Sequence, residues 1–171
     1  MSEGPVNFGK PLMWIVIIAC AGGGFYAWKN WPVTYEGPGW SVSLPNKWEV
    51  TPANDPADAT KVVGRGPLAK LPTGEEQEGT MWARVAYHGT LDWNGFMTTN
   101  LPGTADWSED IDLDYKKARL YMYEDKDTRW YGIAVDRGDA MIFVAMGCDK
   151  TNFPMHKEAF EKVARSVRCQ R

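Results

Sequence analysis

The sequence is poor in the residues that most often carry out chemistry, with two histidines and three cysteines in 171 residues. The two histidines and three cysteines show no zinc-ligand spacing, and no serine lies in a nucleophile elbow. The sequence has no basic excess either, because 19 Lys and Arg accompany 22 Asp and Glu. These absences predict a protein that binds no nucleic acid, metal or cofactor and has no catalytic activity.

Two segments resemble ligand-binding motifs but lack features that those motifs require. Gly64–Ala69 matches the G-x-G-x-x-A pattern, yet Pro67 and Pro72 prevent the helix that a dinucleotide site requires. The acidic run from Asp106 to Asp114 aligns poorly with a calcium loop, because tyrosines stand where the loop needs glycine and glutamate. The first segment therefore predicts an exposed loop over residues 64–79, and the second predicts a solvated acidic loop.

Long hydrophobic runs are also absent, with one exception near the N-terminus. Eighteen residues between Lys10 and Lys29 carry no charge. As a helix they would be about 27 Å long, which is just sufficient for the hydrocarbon core of a bilayer. We therefore predict a tail at 1–10, a transmembrane helix at 11–31, a linker at 32–38 and a globular domain at 39–171. The predicted interface anchors are Trp14, Tyr26, Trp28 and Trp31.

Small residues recur along this predicted span at the spacing that lets two membrane helices pack closely. They form one predicted helix-packing interface, which consists of Ala19, Cys20, Gly23, Gly24 and Ala27. The expected partners are other integral membrane proteins and the lipid bilayer. Ile17–Cys20 also looks like a lipoprotein box, but apolar sequence continues after it, so lipidation of Cys20 stays open.

Periodicity in the remaining chain predicts strands first, then a helix, a strand meander and a terminal helix. The predicted strands are 40–44, 47–50, 60–63, 81–88, 118–124, 129–136 and 140–146, and the predicted helices are 91–101 and 154–168. One face of the second helix is apolar, with Phe160 and Val163 on it. This order indicates an α+β fold in which helices pack on an antiparallel sheet.

Two short motifs resemble PsbP-like and Mog1-like domains. Gly39–Trp48 is similar to the opening strand of that family, and Phe160–Ser166 is similar to its terminal helix. The resemblance implies an antiparallel sheet between helices, without catalytic residues. It also implies an accessory role in membrane complexes, photosystem II among them, with the domain exported to the periplasm or lumen.

We therefore expect a single-pass protein of a bacterial inner or photosynthetic membrane. We expect it to be a non-catalytic accessory, assembly or stabilising subunit of a larger membrane protein complex. The resemblance suggests a photosynthetic or electron-transfer complex. The alternative is a membrane-tethered domain that binds a small ligand or lipid in an apolar pocket. Such a pocket would use several of four tryptophans, Trp82, Trp93, Trp107 and Trp130. A disulfide between Cys148 and Cys169 stays open, because a terminal helix would separate their Cα atoms by about 20 Å.

Overall fold

A computed structural model describes residues 31–37, 39–52, 62–70, 72–87, 105–113 and 116–169. The chain divides into two compact units, Met1–Pro32 and Val33–Arg171. In the described part of the second unit the elements are β1 Val33–Gly37, β2 Trp40–Leu44, β3 Glu49–Pro52, β4 Val62–Lys70, β5 Glu76–Tyr87, β6 Ala105–Leu113, β7 Lys116–Asp125, β8 Thr128–Asp136, β9 Ala140–Asp149, helix α1 Phe153–Arg165 and β10 Arg168–Cys169.

Seven antiparallel strands form the main sheet, in the order β3-β4-β5-β9-β8-β7-β6. The central strand β9 has a nearly continuous apolar sequence, and its residues from Ala140 to Cys148 are buried. A strand of this composition is expected where both faces of a sheet are covered. At β9, side chains on both faces of the sheet are therefore shielded from solvent.

The meander of β7, β8 and β9 confirms the three strands and two turns that the sequence predicts. Gly138 supplies the positive φ of 100° in the second turn, and its N–H donates to the Asp136 carboxylate at 2.8 Å. The Arg137 N–H closes the same turn on the Ala140 carbonyl at 2.9 Å. Local turn chemistry thus fixes the register of these strands.

Helix α1 packs against one face of the main sheet and contacts β8 and β9. The apolar face predicted from periodicity is buried, and it comprises His156, Phe160, Val163, Ala164 and Val167. The helix ends at Arg165, three residues before the predicted end, because Arg168 and Cys169 instead pair with β2 as strand β10. Val167 remains fully buried beyond the helix.

The two motifs that carry the family resemblance contact each other directly. Strand β2 pairs with β1 along one edge and with the two-residue β10 along the other. The Ser43 N–H donates at 3.0 Å to the Ser166 hydroxyl, which itself donates to the Val163 carbonyl at 2.6 Å. The serine of the terminal motif therefore satisfies a backbone donor of the opening strand.

The predicted linker is largely wrong, because Val33–Gly37 forms strand β1. Each of its five residues has a partner in β2, from Val33 opposite Leu44 to Gly37 opposite Trp40. Gly39 follows with a φ of 78° and makes the tight connection to β2. The sequence predicts a linker here, whereas Gly37 and Gly39 lie where the β1–β2 hairpin turns.

The predicted loop at 64–79 is also wrong, because it contains most of β4 and the start of β5. Two glycines of this segment lie beneath large side chains: a Cβ on Gly66 would overlap the Trp48 indole, and one on Gly79 would lie 2.9 Å from Leu68. Their role is close packing, which favours glycine within a strand. The connection at residues 72–75 is exposed, as are Arg65 and Pro67 of β4 and Glu76 and Glu78 of β5.

The predicted acidic loop is the edge strand β6, paired with β7 over nearly its whole length. Its acidic residues are exposed, while Trp107, Ile111 and Leu113 are partly buried against the core. Charged side chains are common on edge strands because they discourage pairing with another chain. The predicted helix at 91–101 lies outside the described residues.

Candidate functional site

The described part of the chain holds no group of three or more His, Cys, Asp or Glu placed to bind a metal ion. His156 is buried in the first turns of α1, and one ring nitrogen, Nε2, lies 3.0 Å from the Gln77 side-chain oxygen. Burial lowers the pKa of His156. The imidazole therefore links α1 to the start of β5 in its neutral form.

Cys148 and Cys169 are not joined by a disulfide. Cys148 is buried near the end of β9, and burial raises the pKa of its thiol to about 11. A thiol with so high a pKa is a poor nucleophile at neutral pH. Burial likewise raises the pKa of Tyr131 to about 12. The described buried groups with raised pKa values are thus held neutral within the fold.

The described tryptophans of the predicted pocket lie on opposite faces of the main sheet. Trp107 packs with Tyr131 on the face that α1 covers, with ring centroids 6.1 Å apart. Trp82 and Trp130 lie on the other face. These three side chains therefore do not line one pocket, contrary to the prediction. Trp93 lies outside the described residues.

The face opposite α1 carries an aromatic group that we call the second-face cluster. Its buried members are Tyr121, Tyr123, Ala134, Met141, Phe143 and Ala145. Trp130 stacks on Tyr123 with ring planes 7° apart and lies over Gly147, where a Cβ would come within 2.6 Å of the indole. Burial raises the pKa of Tyr123. The cluster has the close packing of a second core.

A groove of ≈ 580 Å³ lies at one end of the sheet, beside the β4–β5 hairpin. Its lining residues are Lys47, Glu49, Arg65, Gly66, Pro67, Glu76, Gln77 and Glu78. Glu49 and Arg65 are register partners on neighbouring strands. The mixed charge and few apolar side chains make the groove better suited to a polar protein surface than to a small apolar ligand.

The β6–β7 edge presents a ladder of opposite charges. Asp110 lies opposite Arg119 and forms an ion pair with it, and Asp112 lies opposite Lys117. Hydrogen bonding to Arg119 lowers the pKa of Asp110. A depression of ≈ 380 Å³ is lined by these four residues with Ile111 and Ala118. Two of the carboxylates that suggested calcium ligands, Asp110 and Asp112, thus lie opposite cations on the next strand.

A second ion-pair group ties the start of β6 to the terminal helix. Arg129 of β8 forms ion pairs with Asp106 and with Glu124, while its guanidinium carbon lies 5.6 Å from the ring centroid of Phe153. Lys150 adds a contact of 3.1 Å to Glu124. Asp106 and Glu124 therefore serve packing between elements, which sequence spacing alone did not reveal.

The predicted helix-packing residues Ala19, Cys20, Gly23, Gly24 and Ala27 lie outside the described residues, as do the anchors Trp14, Tyr26 and Trp28. Trp31 is described, and 68% of its surface is exposed. No helix in the described part of the chain is both long and apolar enough to span a bilayer. The predicted span at 11–31 itself falls almost entirely outside that part.

Comparison with known proteins supports the fold. No protein-family model matches the sequence, and no curated protein is significantly similar to it. Among solved structures, cyanobacterial PsbP (CyanoP) from Synechocystis sp. PCC 6803 matches with a TM-score of 0.58 at 13% identity, over 82% of this chain and 93% of that chain. PA94 from Pseudomonas aeruginosa, a protein of unknown function described as a putative regulator, matches with a TM-score of 0.50 at 14% identity, over 82% of this chain and 98% of that one.

These matches confirm that the chain has a PsbP-like fold, as the two sequence motifs suggested. Because both identities are below 15%, the similarity concerns the fold alone. The groove beside the β4–β5 hairpin and the charge ladder at β6 were missed at the sequence level. The alternation of Ile111 and Leu113 with acidic residues was the available signal for β6, and it was outweighed by the density of charge.

Proposed function

We propose that this protein is a non-catalytic accessory or assembly subunit of a larger membrane protein complex. One N-terminal helix at 11–31 anchors it in a bacterial inner or photosynthetic membrane. The PsbP-like domain lies on the periplasmic or lumenal side. The complex belongs to photosynthesis or another electron-transfer process, by analogy with cyanobacterial PsbP.

The observation that carries this proposal is the similarity to cyanobacterial PsbP over 93% of that chain. Two further observations support it. In the described residues, the titratable groups that are buried are held neutral, and no metal-binding cluster is present. The exposed surface offers a polar groove at the β4–β5 hairpin, which suits contact with another protein.

The alternative, a tethered domain that binds a small ligand or lipid, has less support. It depends on several tryptophans converging on one apolar pocket. Trp107 faces α1 while Trp82 and Trp130 belong to the second-face cluster. The groove that the described residues do form is lined mainly by charged side chains.

The test is purification of the tagged full-length protein in a gentle detergent, with mass spectrometry of the proteins that co-migrate. We expect a stoichiometric set of integral membrane proteins. Gly23→Leu should then reduce their recovery at least tenfold, because a large side chain separates two helices that pack through small residues. A lone monomer, even after crosslinking in native membranes, would contradict the proposal.

Ala21→Leu is the matched control for this variant. It introduces the same side chain into the same predicted helix, about 160° around the helix axis from Gly23. We expect Ala21→Leu to leave partner recovery unchanged. Equal losses from both variants would show that the substitutions disturb the span itself and would argue against a specific packing face.

A further inference from the structure

Strand β1 begins immediately after the predicted membrane span. The span ends at Trp31 and β1 starts at Val33, so Pro32 is the only residue between them. The Cα atoms of Trp31 and Val33 are therefore at most about 7 Å apart. Proline also restricts the backbone at this point. The linker predicted at 32–38 is thus reduced to a single residue between the predicted span and β1.

The start of the domain exposes large apolar side chains. Three large hydrophobic side chains are exposed among the described residues, and two of them, Trp31 and Val33, flank Pro32. Their exposed fractions are 68% and 55%. Tryptophan favours the bilayer interface because its ring is apolar and its N–H is polar. Exposed apolar surface next to a membrane span is favourable only if lipid covers it.

The same end of the domain includes the turn between β2 and β3. Val33 is paired with Leu44, and Pro45 to Trp48 follow directly. Pro45 and Lys47 are exposed, whereas the Trp48 ring is held over Gly66 and Gly79 of the main sheet. We call Val33 together with residues 44–48 the membrane-facing end. It is rigidly connected to the rest of the domain through Trp48.

We propose that the membrane-facing end lies in the headgroup layer of the bilayer, with Val33 at the apolar boundary and Lys47 among the lipid phosphates. This inference rests on the proposed function, because it needs the anchor at 11–31. The domain itself is mildly acidic and is not attracted to anionic lipid. The short connection at Pro32 therefore keeps the domain at the surface, and only this end contacts lipid.

The test is fluorescence quenching of the full-length protein in phosphatidylcholine liposomes whose lipids carry a headgroup nitroxide. A bimane label is placed at Pro45→Cys or at Asp112→Cys, after replacing Cys20, Cys148 and Cys169. Asp112 lies on the edge strand β6, six strands from β3, which follows the membrane-facing end, and about 29 Å away across the sheet. We expect the label at position 45 to be quenched at least threefold more than the label at 112.

A variant with ten Gly and Ser residues between Pro32 and Val33 tests the role of the short connection. Such a linker has a root-mean-square length of about 17 Å, so the difference in quenching should largely disappear. Retained strong quenching at position 45 would overturn the role given to Pro32. Equal quenching at 45 and 112 in the original chain would overturn the proposed orientation.

Flotation with the same liposomes separates this inference from the proposed function. A protein that does not float with liposomes would contradict the membrane anchor itself. A protein that floats but shows no quenching at position 45 would leave the anchor intact and contradict only the position of the membrane-facing end. Near-UV circular dichroism of each labelled variant checks that the domain is folded.

Discussion

His156 is a buried titratable residue whose environment favours its neutral form. Because burial lowers its folded pKa below the ordinary value of 6.5, the unfolded chain binds a proton first as the pH falls. Its contribution to stability is therefore complete above pH 6.5 and is lost progressively below it. We expect the free energy of unfolding to decrease between pH 7 and pH 5, measured by urea titration in mild detergent.

His156→Gln should reduce this dependence on pH, since glutamine does not titrate and can still donate to Gln77. Lys157→Gln, one residue along the helix and exposed, is the control and should keep the original slope. If His156→Gln shows the same decrease between pH 7 and pH 5 as the unmodified chain, another group is responsible.

At the level of single residues, the sequence predicted the buried face of α1 correctly because helical periodicity depends on neighbours within a few residues. It did not predict which face of the sheet each tryptophan occupies. The register of β6 shifts between Ala105 and Trp107, so these two residues pack on opposite faces despite their spacing of two. A bulge of this kind reverses side-chain direction and leaves little trace in composition.

The junction between α1 and β2 depends on one hydroxyl group. Ser166→Ala would leave the Ser43 N–H without its acceptor, because β10 is too short to reach it. A backbone donor that loses its partner in a partly buried position costs about 1–2 kcal/mol. We expect Ser166→Ala to lower the free energy of unfolding by this amount, measured by urea denaturation.

Ser108→Ala is the matched control for the junction, since Ser108 is exposed on the edge strand β6. Its effect should stay within about 0.5 kcal/mol. Indistinguishable effects of the two substitutions would mean that water replaces the Ser166 hydroxyl without cost, and the contact between the two motifs would then be incidental.

Among the elements, the meander was predictable because polar residues separate its strands and its second turn carries Gly138 at the required positive φ. Strand β4 was predicted only over its first two residues, by the strand at 60–63, and β6 was not predicted, although both are nine residues long. Gly66 of β4 is needed beneath the Trp48 ring, which belongs to a residue 18 positions earlier in the chain. The charges of β6 are acceptable because the strand lies at the edge. Both causes are tertiary interactions, which the local sequence pattern does not reveal.

The unit Val33–Arg171 has a large core of its own. It is formed by α1, the three-stranded sheet of β1, β2 and β10, and one face of the main sheet. We therefore expect a chain that starts at Pro32 to fold without residues 1–31. Measured in the same detergent, its Tm should lie within about 4 °C of the full-length value, which corresponds to about 1 kcal/mol. The full-length chain is the reference, and a shortened chain without near-UV circular dichroism would show that the domain needs its N-terminal segment.

The fold class was predictable for the whole molecule, since strand order and two short motifs already indicated a PsbP-like domain, which the comparison with solved structures confirms. The proposed interaction surfaces could not be predicted from the sequence. The groove combines residues of the β2–β3 connection, β3, β4 and β5, which the sequence analysis placed in a strand at 47–50 and a loop at 64–79. Surfaces assembled from distant segments require a three-dimensional structure.

The contact between Ser43 and Ser166 also has a consequence for biosynthesis. The two residues are 123 positions apart. Strand β2 is synthesised early, whereas the hydroxyl group that accepts its hydrogen bond is synthesised near the end of the domain. Folding that depends on such distant pairing is slow. The Ser43 N–H therefore lacks its acceptor until the chain has been synthesised as far as Ser166. For the exported domain that we propose, this delay would give an export channel that accepts only extended polypeptide time to thread the chain.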